Sequence, residues 1–152
     1  MKGFIFREFI EYVESQFGLA MADKIIEQAQ LKSAGAYTNI GTYDYQEIIA
    51  LVKILAQELN TEADQLTKIF GKHLFGVLVN SHKNMIDDCP TLLSLFQKLG
   101  RTIHQEVKKI YDQAEVPEVN VEIISDQQFF VIYQSKRPLA NLAHGLIEGA
   151  IS

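Results

Sequence analysis

The feature that most limits what this chain can fold into is a change of hydrophobic period at Pro117. Before it, apolar residues recur every three or four positions, the spacing that gives a helix one apolar face. After it, Val119, Val121 and Ile123 alternate with polar residues, as in a half-buried strand. Ser125-Asp126-Gln127 has turn composition, and residues 129–133 supply a partner strand, so an antiparallel hairpin is predicted here.

The helical part divides at its breakers. Ile5, Phe9, Val13 and Phe17 recur at i+4 and predict a helix over residues 3–17, stopped by Gly18. A short helix is expected over 21–29, then a glycine-flanked loop over 35–41. Ile48, Leu51, Val52, Leu55 and Leu59 mark the next helix. Thr61 is the expected N-cap of another, with Asp64 as a capping-box partner and a stripe from Leu66 to Leu78. A polar loop is expected over 80–90. Pro90 is read as opening one long helix through Leu92, Leu95, Phe96, Leu99, Ile103, Val107 and Ile110. Pro138 starts the last helix. The class is α+β: mostly helical, with a small antiparallel sheet near the C-terminus, in a single domain over 1–152.

A formal charge of −5 argues against a nucleic-acid partner, which selects for a basic face. No run approaches the roughly 20 apolar residues of a membrane span, and Arg7, Glu8 and Glu11 interrupt a signal-peptide core. The single cysteine, Cys89, has no intramolecular partner, which is compatible with a reducing compartment. A cytoplasmic protein is expected. Phosphate-binding glycine loops, nucleophile elbows and metal-ligand clusters are missing, so the chain is not read as an enzyme.

Two stretches carry chemistry. On a wheel of about 100° per residue centred on Phe96, Leu99, Ile103, Val107 and Ile110 fall within about 60°, and His104 lies near 80°. A histidine there can point from a rigid helix into an apolar space, as a haem ligand does, or it can be a partly buried residue with a local hydrogen bond. Spacing alone does not choose, because His73 sits as well on the preceding stripe; His82 and His144 read as structural or exposed. The second stretch is Tyr133-Gln134-Ser135-Lys136-Arg137, whose two hydroxyls and guanidinium could converge on an anionic group.

In order along the chain, His104, Pro117, Tyr133-Gln134-Ser135-Lys136-Arg137 and Gly145-Leu146-Ile147-Glu148-Gly149 closely resemble the haem–nitric oxide/oxygen binding (H-NOX) family. Met1-Lys2-Gly3-Phe4-Ile5-Phe6 and Phe70-Gly71 are similar too, so the likeness spans the chain. It implies haem b (iron protoporphyrin IX) with His104 as the iron ligand. Tyr133, Ser135 and Arg137 would hold the propionates, and Pro117 would press on the porphyrin. Ile5, Phe9, Leu74, Leu78, Leu142 and Leu146 would line the pocket, chiefly on the side away from His104. Oxygen-binding members carry a tyrosine where this chain has Leu142, so nitric oxide and carbon monoxide are the expected ligands. The expected partner is a separate histidine kinase or cyclic-di-GMP enzyme. The family usually ends in a further hairpin that completes the sheet, so that hairpin is expected to be missing here. Two other readings compete: a histidine phosphotransfer module, and a haem-free interaction module with the same fold.

Overall fold

The computed structural model describes residues 1–110 and 115–152. Its first helix, α1 (Gly3–Phe17), ends at Gly18, whose φ of 91° suits a residue without a Cβ. There follow α2 (Leu19–Ala29), α3 (Tyr45–Leu59) and α4 (Ala63–Ser81). The Asp44 carboxylate caps α3 by accepting from the Gln46 N–H, and Asn60 closes it in the left-handed conformation. The N-cap of α4 is Glu62, one residue later than expected, and its side chain makes no cap bond. The connection before α3 is pinned by Glu47, which accepts from the Ser33 N–H, the Ser33 hydroxyl and the Tyr37 hydroxyl.

These helices bury most of the apolar stripes read from the sequence, whereas Phe17 and Ile69 are exposed. Phe6, Phe9 and Val13 of α1 meet Ile25 of α2, Leu51 and Leu55 of α3, and Phe70 and Leu74 of α4 in one core. Phe9 and Phe70 pack edge to face with centroids 5.1 Å apart.

The second half departs from the expected single long helix. A four-residue helix, α5 (Lys83–Ile86), occupies part of the expected loop. Pro90 lies outside the next helix: Thr91 is its N-cap, in a capping box with Ser94. The helical run is then divided into α6 (Leu92–Lys98), a π-helical turn (Leu99–Ile103) and α7 (His104–Ile110). Gly100 accounts for the position of that turn. A Cβ on Gly100 would lie 2.0 Å from the Val119 carbonyl oxygen, so only glycine allows the turn to rest on the strand backbone.

The predicted hairpin is β1 (Glu118–Ser125) paired antiparallel with β2 (Gln128–Gln134). Opposed pairs Val119–Tyr133, Val121–Val131 and Ile123–Phe129 share one face, and Asn120–Ile132 and Glu122–Phe130 the other. Finally α8 (Ala140–Ile151) returns to lie along α4. Their contact is at backbone distance, since a Cβ on Gly145 would lie 2.0 Å from the Lys68 carbonyl oxygen and one on Gly71 2.4 Å from that of Leu142. Among the described residues, no helix is long and apolar enough to cross a membrane.

Candidate functional site

A cavity of about 300 Å³ separates two walls of this fold. One wall is built by α4 and α8, with Phe75, Leu78, Val79, Leu146 and Ile147. The other comes from α6, the π-turn, α7 and the hairpin, with Phe96, Leu99, Ile103, Val107, Pro117 and Val119. Strand alternation places Val119, Val131 and Tyr133 on the face that lines it. Among the described lining residues, only His82, His104 and Tyr133 carry polar side chains. Such a space takes an apolar ligand and fixes it with a few polar groups.

His104 is the first residue of α7, directly after the π-turn, and it is half-buried. A π-turn adds a residue to the helical ladder and so changes which side chains face a given side; these turns are frequent at functional sites. Burial pushes the His104 ring below the ordinary histidine pKa, because the apolar surroundings penalise the charged form. The neutral imidazole keeps a nitrogen lone pair for a metal. Its Nδ1 is buried without a hydrogen-bond partner among the described residues. His73, which periodicity could not separate from His104, is not on the cavity wall. It is exposed and packs on the Tyr12 ring, 4.9 Å between centroids. A phosphotransfer histidine must be open to solvent, and His104 does not meet that requirement.

Ser135 and Arg137 line a polar cleft beside the cavity, together with Lys108, Glu115, Glu118 and Lys136. The two spaces adjoin, since Val107 and Tyr133 line one while Lys108 and Gln134 line the other. The strand ends at Gln134, so strict alternation does not extend to Ser135 and Arg137. Instead the Ser135 hydroxyl accepts from the Arg137 N–H at 3.1 Å and turns the chain. Arg137 is largely buried, with its guanidinium 6.0 Å from the Tyr45 ring centre and 3.7 Å from the Glu115 carboxylate. Its Nε is buried with no hydrogen-bond partner among the described residues. A buried donor left unsatisfied is costly unless a ligand completes it.

Leu78 and Leu146 line the cavity, whereas Phe9, Leu74 and Leu142 lie in the central core and Ile5 packs against it. The close approach of α4 and α8 at Gly71 and Gly145 closes the space at that level, so the flanking Leu74 and Leu142 sit behind the wall. Sequence reasoning missed His82, whose polar neighbours predict a loop. It lies four residues beyond Leu78 and eight beyond Leu74, and that i+4 repetition is the signal that could have found it.

Residues 2–152 match the family model described as haem–nitric oxide-binding. The chain belongs to the H-NOX family. Among solved structures, it is 37% identical to the ferrous unliganded H-NOX protein of K. algicida, covering 97% of this chain and 80% of that one with a TM-score of 0.89. The S. oneidensis H-NOX protein in its Fe(II)NO state is 31% identical over 99% of this chain and 83% of that one, with a TM-score of 0.89. The Shewanella woodyi H-NOX in its Fe(II)CO state is 36% identical over 99% and 79%, with a TM-score of 0.85. No curated protein matches the chain.

The residues present fit a haem. An H-NOX cavity must accept a flat apolar macrocycle, one metal and two carboxylates. This one offers apolar walls, the neutral imidazole of His104 and, at the adjoining cleft, the unsatisfied Nε of Arg137.

Proposed function

We propose that this chain is a haem b gas sensor, with His104 as the iron ligand and a separate signalling enzyme as its partner. The observation that carries the reading is the half-buried His104 ring, its buried Nδ1 without a partner among the described residues, on the wall of an apolar cavity in an H-NOX fold. When bound, the haem supplies a ferrous iron that takes nitric oxide or carbon monoxide, as in the two Shewanella relatives.

The chain's own residues do the rest. His104 donates a nitrogen lone pair, and because Nδ1 has no acceptor among the described residues, no outer hydrogen bond raises the basicity of the coordinating nitrogen. The bond to the metal is therefore one a strong competing ligand can weaken, and α7 and the π-turn would respond together. Pro117 lies on the wall that would press on the macrocycle. Ser135 and Arg137 bind carboxylates from the cleft, Arg137 through charge-assisted hydrogen bonds. Tyr133 adds a hydroxyl at the boundary. Leu78 and Leu146 place no hydrogen-bond donor near the metal, and Ile5, Phe9, Leu74 and Leu142, behind the wall, carry none. The partner would be a histidine kinase or a cyclic-di-GMP enzyme.

The purified protein reconstituted with haem should show a Soret band that shifts with nitric oxide and with carbon monoxide. In air the reduced protein should not hold oxygen, since a polar pocket favours that ligand and this one is apolar. A persistent, reversible oxygen spectrum would contradict the pocket assignment, and no Soret band would reject the sensor reading itself.

Arg137→Ala should lose haem to a scavenger protein several-fold faster than Lys136→Ala. Arg137 is buried with an unsatisfied Nε, whereas Lys136 is exposed on the same cleft. Equal loss rates in the two variants would remove Arg137 from the propionate site.

A further inference from the structure

We infer that His82 is a second nitrogen ligand for the iron, taking the position opposite His104 when the metal is ferric. The inference rests on the haem-binding reading above. Its starting observation is that the two imidazoles of the cavity belong to opposite walls. His104 opens α7 on one side, and His82 closes α4 on the other. Leu78, one turn before His82, lines the same wall, so the i+4 direction of α4 carries the His82 position toward the cavity.

The local hydrogen bonds set which nitrogen is available. The His82 backbone N–H donates to the Leu78 carbonyl oxygen at 2.9 Å, and the ring Nδ1 lies 3.3 Å from the same oxygen. A carbonyl can only accept, so Nδ1 carries the proton and the neutral ring presents its lone pair at Nε2. A backbone carbonyl holding one ring nitrogen while the other meets the metal is the usual way proteins orient a coordinating histidine. The same tautomer gives a gas no N–H from Nε2, which agrees with the expected exclusion of oxygen.

The backbone lets the ring move. His82 has left helical geometry, with φ −129° and ψ 40°, and it joins α4 to the four-residue α5. The ring is exposed at the cavity edge and can turn toward the space about its Nδ1 contact with Leu78 without breaking the helical ladder of α4. Ferric iron with one imidazole leaves its sixth position to water or to the nearest lone pair, and imidazole nitrogen is a good ligand for iron. Coordination by His82 forms one Fe–N bond and releases one water molecule to solvent, with no electron transferred. The oxidised sensor is thereby closed to external ligands.

The test uses the haem-loaded protein oxidised with ferricyanide. The unmutated protein should give the low-spin absorption and electron paramagnetic resonance spectra of two axial imidazoles. His82→Ala should be high-spin, should return to low spin on addition of imidazole, and should bind cyanide about tenfold faster or more, because an intramolecular competitor at high effective concentration is gone. Haem content and the ferrous carbon monoxide spectrum serve as controls and should be unchanged. A high-spin ferric spectrum in the unmutated protein overturns the inference, as does a low-spin spectrum that survives His82→Ala. A Soret band that responds to gases alongside either result leaves the sensor reading standing and removes only His82. Failure of both proteins to retain haem overturns both readings.

Discussion

His104→Gly is expected to purify without haem, and added imidazole should restore a Soret band. On the proposed assignment, the bond that would hold ferrous iron to the protein comes from a ring that α7 places at the cavity wall. Burial favours the neutral imidazole, so His104 would bind a metal without first losing a proton. Removing the ring leaves the apolar walls and the Arg137 cleft, which would position a macrocycle but not replace the His104 nitrogen on ferrous iron. Free imidazole is small enough to fill the space the deleted side chain leaves. His73→Gly is the matched control and should retain haem normally, because His73 packs outward on Tyr12. A normal haem spectrum in His104→Gly without imidazole, with loss in His73→Gly, would reverse the assignment.

The second large effect concerns stability. Gly145→Ala should be strongly destabilising while Gly76→Ala, on the adjacent helix, should be mildly stabilising. A Cβ at position 145 would lie 2.0 Å from the Lys68 carbonyl oxygen and 2.9 Å from the Gly71 Cα. Ordinary contact needs about 3.5 Å, and both obstacles are backbone, so α4 and α8 must separate. The cost should reach or exceed the ~1–3 kcal/mol typical of overpacked cores. A Cβ at Gly76 meets nothing within 4 Å. There alanine removes only the entropy that glycine loses in a helix, a gain of roughly 0.5–1 kcal/mol. Urea denaturation of the two apo variants measures both signs. A Gly145→Ala midpoint equal to the unmutated one would show that the two helices do not pack at backbone distance. Because these helices form one cavity wall, Gly145→Ala should also weaken haem retention.

Local signals were enough where a residue's role depends on its neighbours in sequence. The i+4 run Ile5, Phe9, Val13 and Phe17 with Gly18 behind it defines α1, and the alternation around Val119 and Val131 defines the hairpin. Those patterns work because helix and strand each impose a fixed period on one buried face. The ordered likeness from His104 through Gly149 went further and pointed to the family.

What sequence periodicity could not decide was which histidine faces the cavity, because His73 and His104 both lie on apolar stripes. Tertiary packing separates them: α1 covers the α4 face near His73, while the π-turn and the Gly100–Val119 contact bring His104 to the cavity wall. The π-turn itself is invisible to a pattern of constant period, since it arises where the helix must meet the strand backbone. His82 was hidden for a related reason. Its polar sequence context suggested a loop, yet α4 continues to Ser81 and delivers it to the cavity edge. Class, family and the elements of the first half and the hairpin follow from short-range order or a matched pattern, but the division of the 92–110 helix does not. Which side chains share one enclosed space depends on contacts between distant segments, and only the folded chain sets those.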